Sequence, residues 1–167
     1  MKGDALLWGP TVSLELPERF WLSGTYLQGD MEYDDVDLET DETDTEAVIG
    51  RSFDWLDVGA GYRYEEHGLG SMDRVNQLDV EVSGPAVYAE LGTSFGDMPL
   101  GWYLGGSWMF SDIEDEMENG ENFNVEGGLG LLYQRLQGTV GYRYKSFYDF
   151  EENLDYQGVT GSLSVRF

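Results

Sequence analysis

Apolar and polar residues alternate with a period of two along almost the whole chain, the pattern of strands that turn one face to an apolar environment and the other to a polar one. The C-terminal stretch from Tyr156 to Phe167 is the clearest. Val159, Gly161, Leu163, Val165 and Phe167 fall on one face, and Gly158, Thr160, Ser162, Ser164 and Arg166 on the other. Leu136–Tyr144 repeats the alternation with Leu136, Val140, Tyr142 and Tyr144 opposite Gln137, Thr139, Arg143 and then Lys145. In Asp57–Glu65, Val58, Ala60, Tyr62 and Tyr64 oppose Asp57, Arg63 and Glu65. Trp102, Leu104, Trp108 and Phe110 share a face, as do Val125, Leu129, Leu131 and Tyr133, and near the start Val12, Leu14 and Leu16 lead to Phe20, Leu22 and Tyr26. Two segments fit less well. Between Gln77 and Phe95 the apolar positions switch from even (Leu78, Val80, Val82) to odd (Val87, Ala89, Leu91), and the intervening Ser83-Gly84-Pro85 predicts a β-bulge. Between Thr45 and Phe53, placing Ile49 and Phe53 on the apolar face brings Arg51 there too, which an interfacial position would accommodate.

Nine strands result, and their connections alternate in length. Short ones fall at Pro17-Glu18-Arg19, Asp54-Trp55-Leu56, Gly96-Asp97-Met98 and Gln134-Arg135; long, charged ones run over about Asp34–Asp44, His67–Asn76, Asp115–Asn122 and Asp149–Asp155. Aromatic residues gather beside the short turns (Phe20, Phe53, Trp55, Phe95, Trp102, Tyr133, Phe167) and toward the long loops (Tyr26, Tyr64, Trp108, Phe110, Tyr142, Tyr144, Tyr148). Two aromatic belts, with short turns on one rim and long loops on the other, predict an all-β, antiparallel up-and-down transmembrane barrel of 8 to 10 strands. An internal repeat supports hairpin duplication: Gly9-Pro10-Thr11-Val12 returns as Gly84-Pro85-Ala86-Val87, and Gly61-Tyr62-Arg63-Tyr64 as Gly141-Tyr142-Arg143-Tyr144.

Composition refines this. The 167 residues suit one domain, 1–167, and 23 glycines with 14% aromatics favour strands and tight turns over a helical bundle. The net charge of −24, from 33 acidic against 9 basic residues, argues against nucleic acid as a partner. Acid concentrates in Asp30–Glu46, Asp112–Glu121 and Asp149–Asp155, runs expected to be solvated loops. Cysteine is absent, and no stretch of about 18 apolar residues could form a transmembrane helix. A mean hydropathy of −0.40 is compatible with a small barrel, in which every second strand residue meets lipid. No apolar stretch follows Met1-Lys2-Gly3-Asp4, so a secretory leader is expected to have been removed or to precede the sequence.

The ending Leu163-Ser164-Val165-Arg166-Phe167, taken with the loop asymmetry and the aromatic belts, resembles the small bacterial outer-membrane barrels, namely the OmpA transmembrane domain and its OmpX-type relatives. The resemblance implies a bacterial outer-membrane location, contact with lipid and lipopolysaccharide, and an assembly signal at Leu163, Val165 and Phe167 read by the barrel-assembly machinery. It further implies a structural or surface protein, or a narrow porin-like pore; catalysis is not required, and neither an enzymatic activity nor a cofactor is expected. Nine strands depart from the even numbers of bacterial single-chain barrels, so a preceding strand or a different pairing of the first segment is expected.

Glu15, Glu90 and Glu126 share the polar face with Arg63, Arg143, Lys145 and Arg166. In so narrow a barrel side chains fill the lumen and enclosed opposite charges must pair. The expectation is a salt-bridge plug, with an ion path through the network as the functional alternative. The acidic loops could attract divalent cations, but none carries the spacing of a calcium loop, and no metal site is assigned. His67, the single histidine, precedes Gly68-Leu69-Gly70-Ser71 and follows Glu65 and Glu66. A lipid-A-modifying barrel enzyme would use such residues, but adjacency on a loop does not build a triad. Gly84, Gly106, Gly127, Gly128 and Gly161 are assigned to strand packing rather than phosphate binding. Period-two patterning is blind to which face points inward, so a soluble lipocalin-like barrel with an apolar ligand inside is the rival architecture.

Overall fold

The computed structural model describes residues 2–33, 38–69, 78–94, 99–113, 119–148 and 154–166. They form nine strands: β1 (Lys2–Glu15), β2 (Phe20–Tyr33), β3 (Leu38–Ser52), β4 (Leu56–Leu69), β5 (Leu78–Ser94), β6 (Leu100–Ile113), β7 (Asn119–Tyr133), β8 (Leu136–Tyr148) and β9 (Leu154–Arg166). Each pairs with its sequence neighbours, and β1 pairs with β9 to close a barrel. Eight of the nine seams are antiparallel; the β1–β9 seam is parallel, running from Lys2↔Asp155 to Ser13↔Arg166. An odd number of alternating strands can close only this way, because the first and last point in the same direction. The first segment thus pairs fully on both sides, and closure needs no tenth strand.

The apolar face points outward. Val140, Tyr142, Leu163, Trp8, Leu104 and Leu129 are exposed, whereas Arg63 and Lys145 are buried inside. This is the inverse of a soluble lipocalin-like barrel, whose apolar residues would line the interior. Arg51 does lie on the outer face, at the short-turn end of β3, where its guanidinium sits 5.3 Å from the Phe20 ring centroid and 5.8 Å from that of Phe53.

Two expectations fail, and for related reasons. The bulge at Ser83-Gly84-Pro85 does not occur: β4 and β5 stay in one register from Leu69↔Leu78 through Tyr62↔Pro85 to Leu56↔Leu91. Even-numbered positions of β5 from Val82 to Gly92 point inward. Val82 looks out of phase because it belongs, with Ala86, Met109 and Tyr156, to a small apolar cluster inside the barrel, with Ala5 and Tyr88 packed against it. The long connections are also shorter than expected. Strand β3 starts at Leu38 and β7 at Asn119, so much of two acidic runs is strand, and Glu42 and Asp44 are buried in the lumen.

The tight reversals have local causes. Glu18 and Arg19 adopt positive φ (61° and 64°) in the single turn after Pro17, and Gln134, at φ 55°, reverses the chain between Tyr133 and Leu136 within two residues.

Candidate functional site in the barrel lumen

Strand register determines which charges meet. Glu46 lies opposite Arg63 and Asp44 opposite Glu65 on the β3–β4 seam; Glu126 lies opposite Arg143 on β7–β8; Lys145 faces Asn124 on one side and Tyr156 on the other. All of these positions point inward, so side chains from opposite walls converge in the half of the lumen nearer the long connections.

Asp44 is the hub. Arg63 donates to it through two nitrogens, Nε to Oδ1 at 2.9 Å and Nη2 to Oδ2 at 2.7 Å. Arg143 crosses from β8 and donates to the same Oδ2 at 2.9 Å. Such two-nitrogen geometry fixes both partners more firmly than a single contact would. Arg63 also lies 3.0 Å from Glu65 Oε1 and donates to Ser107 Oγ at 3.1 Å. A second group extends from Glu65, whose Oε1 is 2.5 Å from Lys145 Nζ and whose Oε2 accepts from Asn122 at 3.0 Å. Lys145 lies 3.4 Å from Glu42 and 5.1 Å from the Tyr156 ring centroid, and the Tyr156 hydroxyl donates to Glu42 Oε1 at 2.5 Å. Arg143 ties this layer to Glu126 (2.7 Å), which also accepts from the Tyr103 hydroxyl at 2.6 Å.

Arg63, Glu65, Lys145 and Glu42 are each at most 1% exposed. Charges so enclosed persist only when paired and hydrogen-bonded, because removing an ion from water costs several kcal/mol. Together with the Val82, Ala86, Met109 and Tyr156 cluster and buried Leu7 and Leu27, the network fills the lumen on the long-loop side.

Below the plug the lumen opens into a cavity of about 500 Å³. Thr11, Ser13, Ser23, Thr25, Thr139, Thr160, Ser162 and Ser164 supply hydroxyls to its wall, and Arg143, Ser107 and Asn124 border it at the plug. Some hydroxyls pair across strands: Thr139 with Ser162 at 2.7 Å, Thr11 with Thr25 at 3.1 Å. Trp21 also lies inside, packed against positions 50 and 59, where a Cβ on either glycine would meet its indole.

The sequence-derived residues divide between these regions. Arg63, Arg143, Lys145 and Glu126 belong to the network. Glu15 and Glu90 line the cavity nearer the short-turn rim. The side chain of Arg166 and residue Phe167 lie outside the described residues, as do the side chain of His67 and residue Ser71. Leu163 is exposed on the outer wall and Val165 half-buried. The principal acidic partners, Glu42 and Asp44, were hidden in a segment whose composition reads as loop. Their signal is the alternation Glu42, Asp44, Glu46, which continues the inward phase of Val48 and Gly50. Among the described residues, no group of three or more metal-binding side chains converges. Comparisons of the chain with protein-family models, with curated proteins and with solved structures return no match.

Proposed function

We propose that this chain spans a bacterial outer membrane as a plugged β-barrel and serves as a structural or surface protein rather than an enzyme. The carrying observation is the inversion: a belt of exposed Leu, Val, Trp and Tyr surrounds a buried ion-pair network. An apolar surface of this extent suits hydrocarbon, since water would drive it to associate. Strands of 13 to 17 residues exceed the roughly 9–11 that cross a bilayer. The surplus lies at the long-loop end, where Asp4, Asp30, Asp41, Glu81 and Glu121 form an acidic collar on the outer wall above the apolar band. That collar would meet lipopolysaccharide through divalent cations. The OmpA-like and OmpX-like resemblance supports the same reading, as does an assembly role for the C-terminal strand.

The test is folding in detergent. The folded chain should need detergent or lipid to stay monodisperse and should migrate faster in gels before heating than after. Monodisperse, folded protein in plain buffer would sink the membrane reading.

A narrow pore is the second reading, favoured by the cavity, which leaves only the plug layer in the way. Planar-bilayer recording decides. The plug predicts no steady conductance, and a steady conductance abolished by Arg143→Gln or Glu126→Gln would establish the pore.

A further inference from the structure

Arg51 interrupts the apolar outer wall of β3. It pairs in register with Phe20 on β2 and Val58 on β4, both of which face outward. Its guanidinium stands 5.3 Å from the Phe20 ring centroid and 5.8 Å from that of Phe53. We propose that this guanidinium binds the phosphate of an anionic phospholipid headgroup in the leaflet on the short-turn side. The inference rests on the membrane-spanning reading and gives it a lipid partner at one defined point of the wall.

Three observations carry it. The first is uncommitted charge. Although the chain has a net charge of −24, no carboxylate among the described residues pairs with Arg51. Asp54, in the turn that follows, is held by Arg19 at 2.7 Å, whereas Glu15, Asp57 and Glu90 line the cavity on the other side of the wall. Glu18, in the neighbouring turn, makes no ion pair with Arg51. The second is depth. Asp41 and Arg51 both face outward on β3, and at about 3.3 Å per residue they stand roughly 33 Å apart along the strand. At the tilt of barrel strands this distance spans about the 25 Å height of an outer-membrane apolar band. With Asp41 in the acidic collar, Arg51 falls at the opposite boundary, at the level of headgroup phosphates. The separation far exceeds the screening length of about 8 Å, so the collar does not repel an anion there. The third is the surrounding surface. Phe20, Phe53 and Trp55 are exposed at this end of the barrel, as anchoring aromatics are at an interface. Ring contacts hold the planar guanidinium and leave its N–H edge to a phosphate. Toward the middle of the wall the outward rows read Leu22, Ile49 and Ala60, then Gly24, Ala47 and Tyr62. Gly24, Ala47 and Ala60 are exposed and small, which leaves room for an acyl chain against Leu22 and Ile49. A free phosphate has no use for that surface, and a lipid does.

The full-length chain is folded in an uncharged maltoside detergent, its folding verified by the gel shift, and lipid retention is read by native mass spectrometry. Phosphatidylglycerol and a diacylglycerol with the same acyl chains are the probes. Phosphatidylglycerol should bind about fivefold more tightly than diacylglycerol, the size of one well-placed interfacial ion pair. Arg51→Gln should remove that preference, whereas Arg135→Gln, at an exposed arginine in another short turn, should leave it intact. Arg51→Lys keeps the charge without the planar fork, should give an intermediate preference, and serves if the glutamine variant does not fold. Excess inorganic phosphate should leave the lipid bound. Equal retention of the two lipids overturns the proposal, as does a preference that survives Arg51→Gln, falls equally with Arg135→Gln, or is displaced by phosphate. A chain that stays folded and monodisperse without detergent would instead sink the membrane reading, a result distinct from a detergent-folded barrel that ignores the headgroup.

Discussion

The two halves of the lumen are built on the same strands but filled in opposite ways, and the difference can be followed residue by residue. On β4 the inward positions run from Glu65 and Arg63 on the long-loop side to Gly61, Gly59 and Asp57; on β8 they run from Lys145 and Arg143 to Gly141, Thr139 and Gln137; on β9 from Tyr156 to Thr160, Ser162 and Ser164. On these three strands long charged or aromatic groups that meet at the barrel axis therefore give way to smaller ones that leave it open. A closed seal and an open cavity follow from one barrel radius. The seal concentrates its stability in a few buried charge contacts, while the cavity spreads modest contributions over many hydroxyls that water can also satisfy.

The sharpest way to break this contrast is to remove the cation at the hub. Arg63→Met should cost roughly 3–5 kcal/mol, because Asp44 and Glu65 would each lose a partner while fully enclosed. Denaturant titration in detergent, followed by the gel shift, measures it. A loss below about 1 kcal/mol would mean that water reaches the network and that the plug is no seal.

A smaller effect tests a place where the open half is filled by a large ring. Trp21 occupies space that exists only because positions 50 and 59 lack side chains. Gly50→Val would drive a branched side chain into the indole and the β3–β4 seam, costing about 1–3 kcal/mol by overpacking. If Trp21 instead swings into the cavity, stability should hold and its fluorescence should shift toward that of a water-exposed indole.

These residues also mark how far the sequence could be read. The nine strands and the grouping of Arg63, Arg143 and Lys145 on one face opposite the apolar residues were legible because period two is a local property of each strand, whereas which face points inward is fixed only by the assembled barrel. Which carboxylates these cations meet was not legible, because pairing across a barrel is set by register between distant strands: Arg143 reaches Asp44, 99 positions away. Composition misled at one further point. A run with the acid content of Asp30–Glu46 reads as solvated loop, and only the presence of three cations inside a closed barrel makes buried carboxylates on β3 necessary. Val82 misled similarly. Apolar residues facing a polar lumen imitate a phase shift, and the interior cluster with Met109 and Tyr156 that explains them is visible only once the strands are assembled.

The smallest expected effect sharpens the comparison from the cavity side. Ser162 shares a hydrogen bond with Thr139 at 2.7 Å, and both line the cavity. In Ser162→Ala the Thr139 hydroxyl loses this partner but borders a space large enough to admit water, so the cost should stay below about 1 kcal/mol. Asn122→Ala provides the matched experiment in the closed half. Asn122 donates to Glu65 Oε2 at 3.0 Å and is 1% exposed, so its removal strands part of a buried carboxylate and should cost about 1–3 kcal/mol. Both substitutions delete a single hydrogen-bonding side chain, and unfolding midpoints measured side by side read the difference directly. Equal losses would show that the two halves are equally dry or equally wet, and the division of the lumen into seal and cavity would fail.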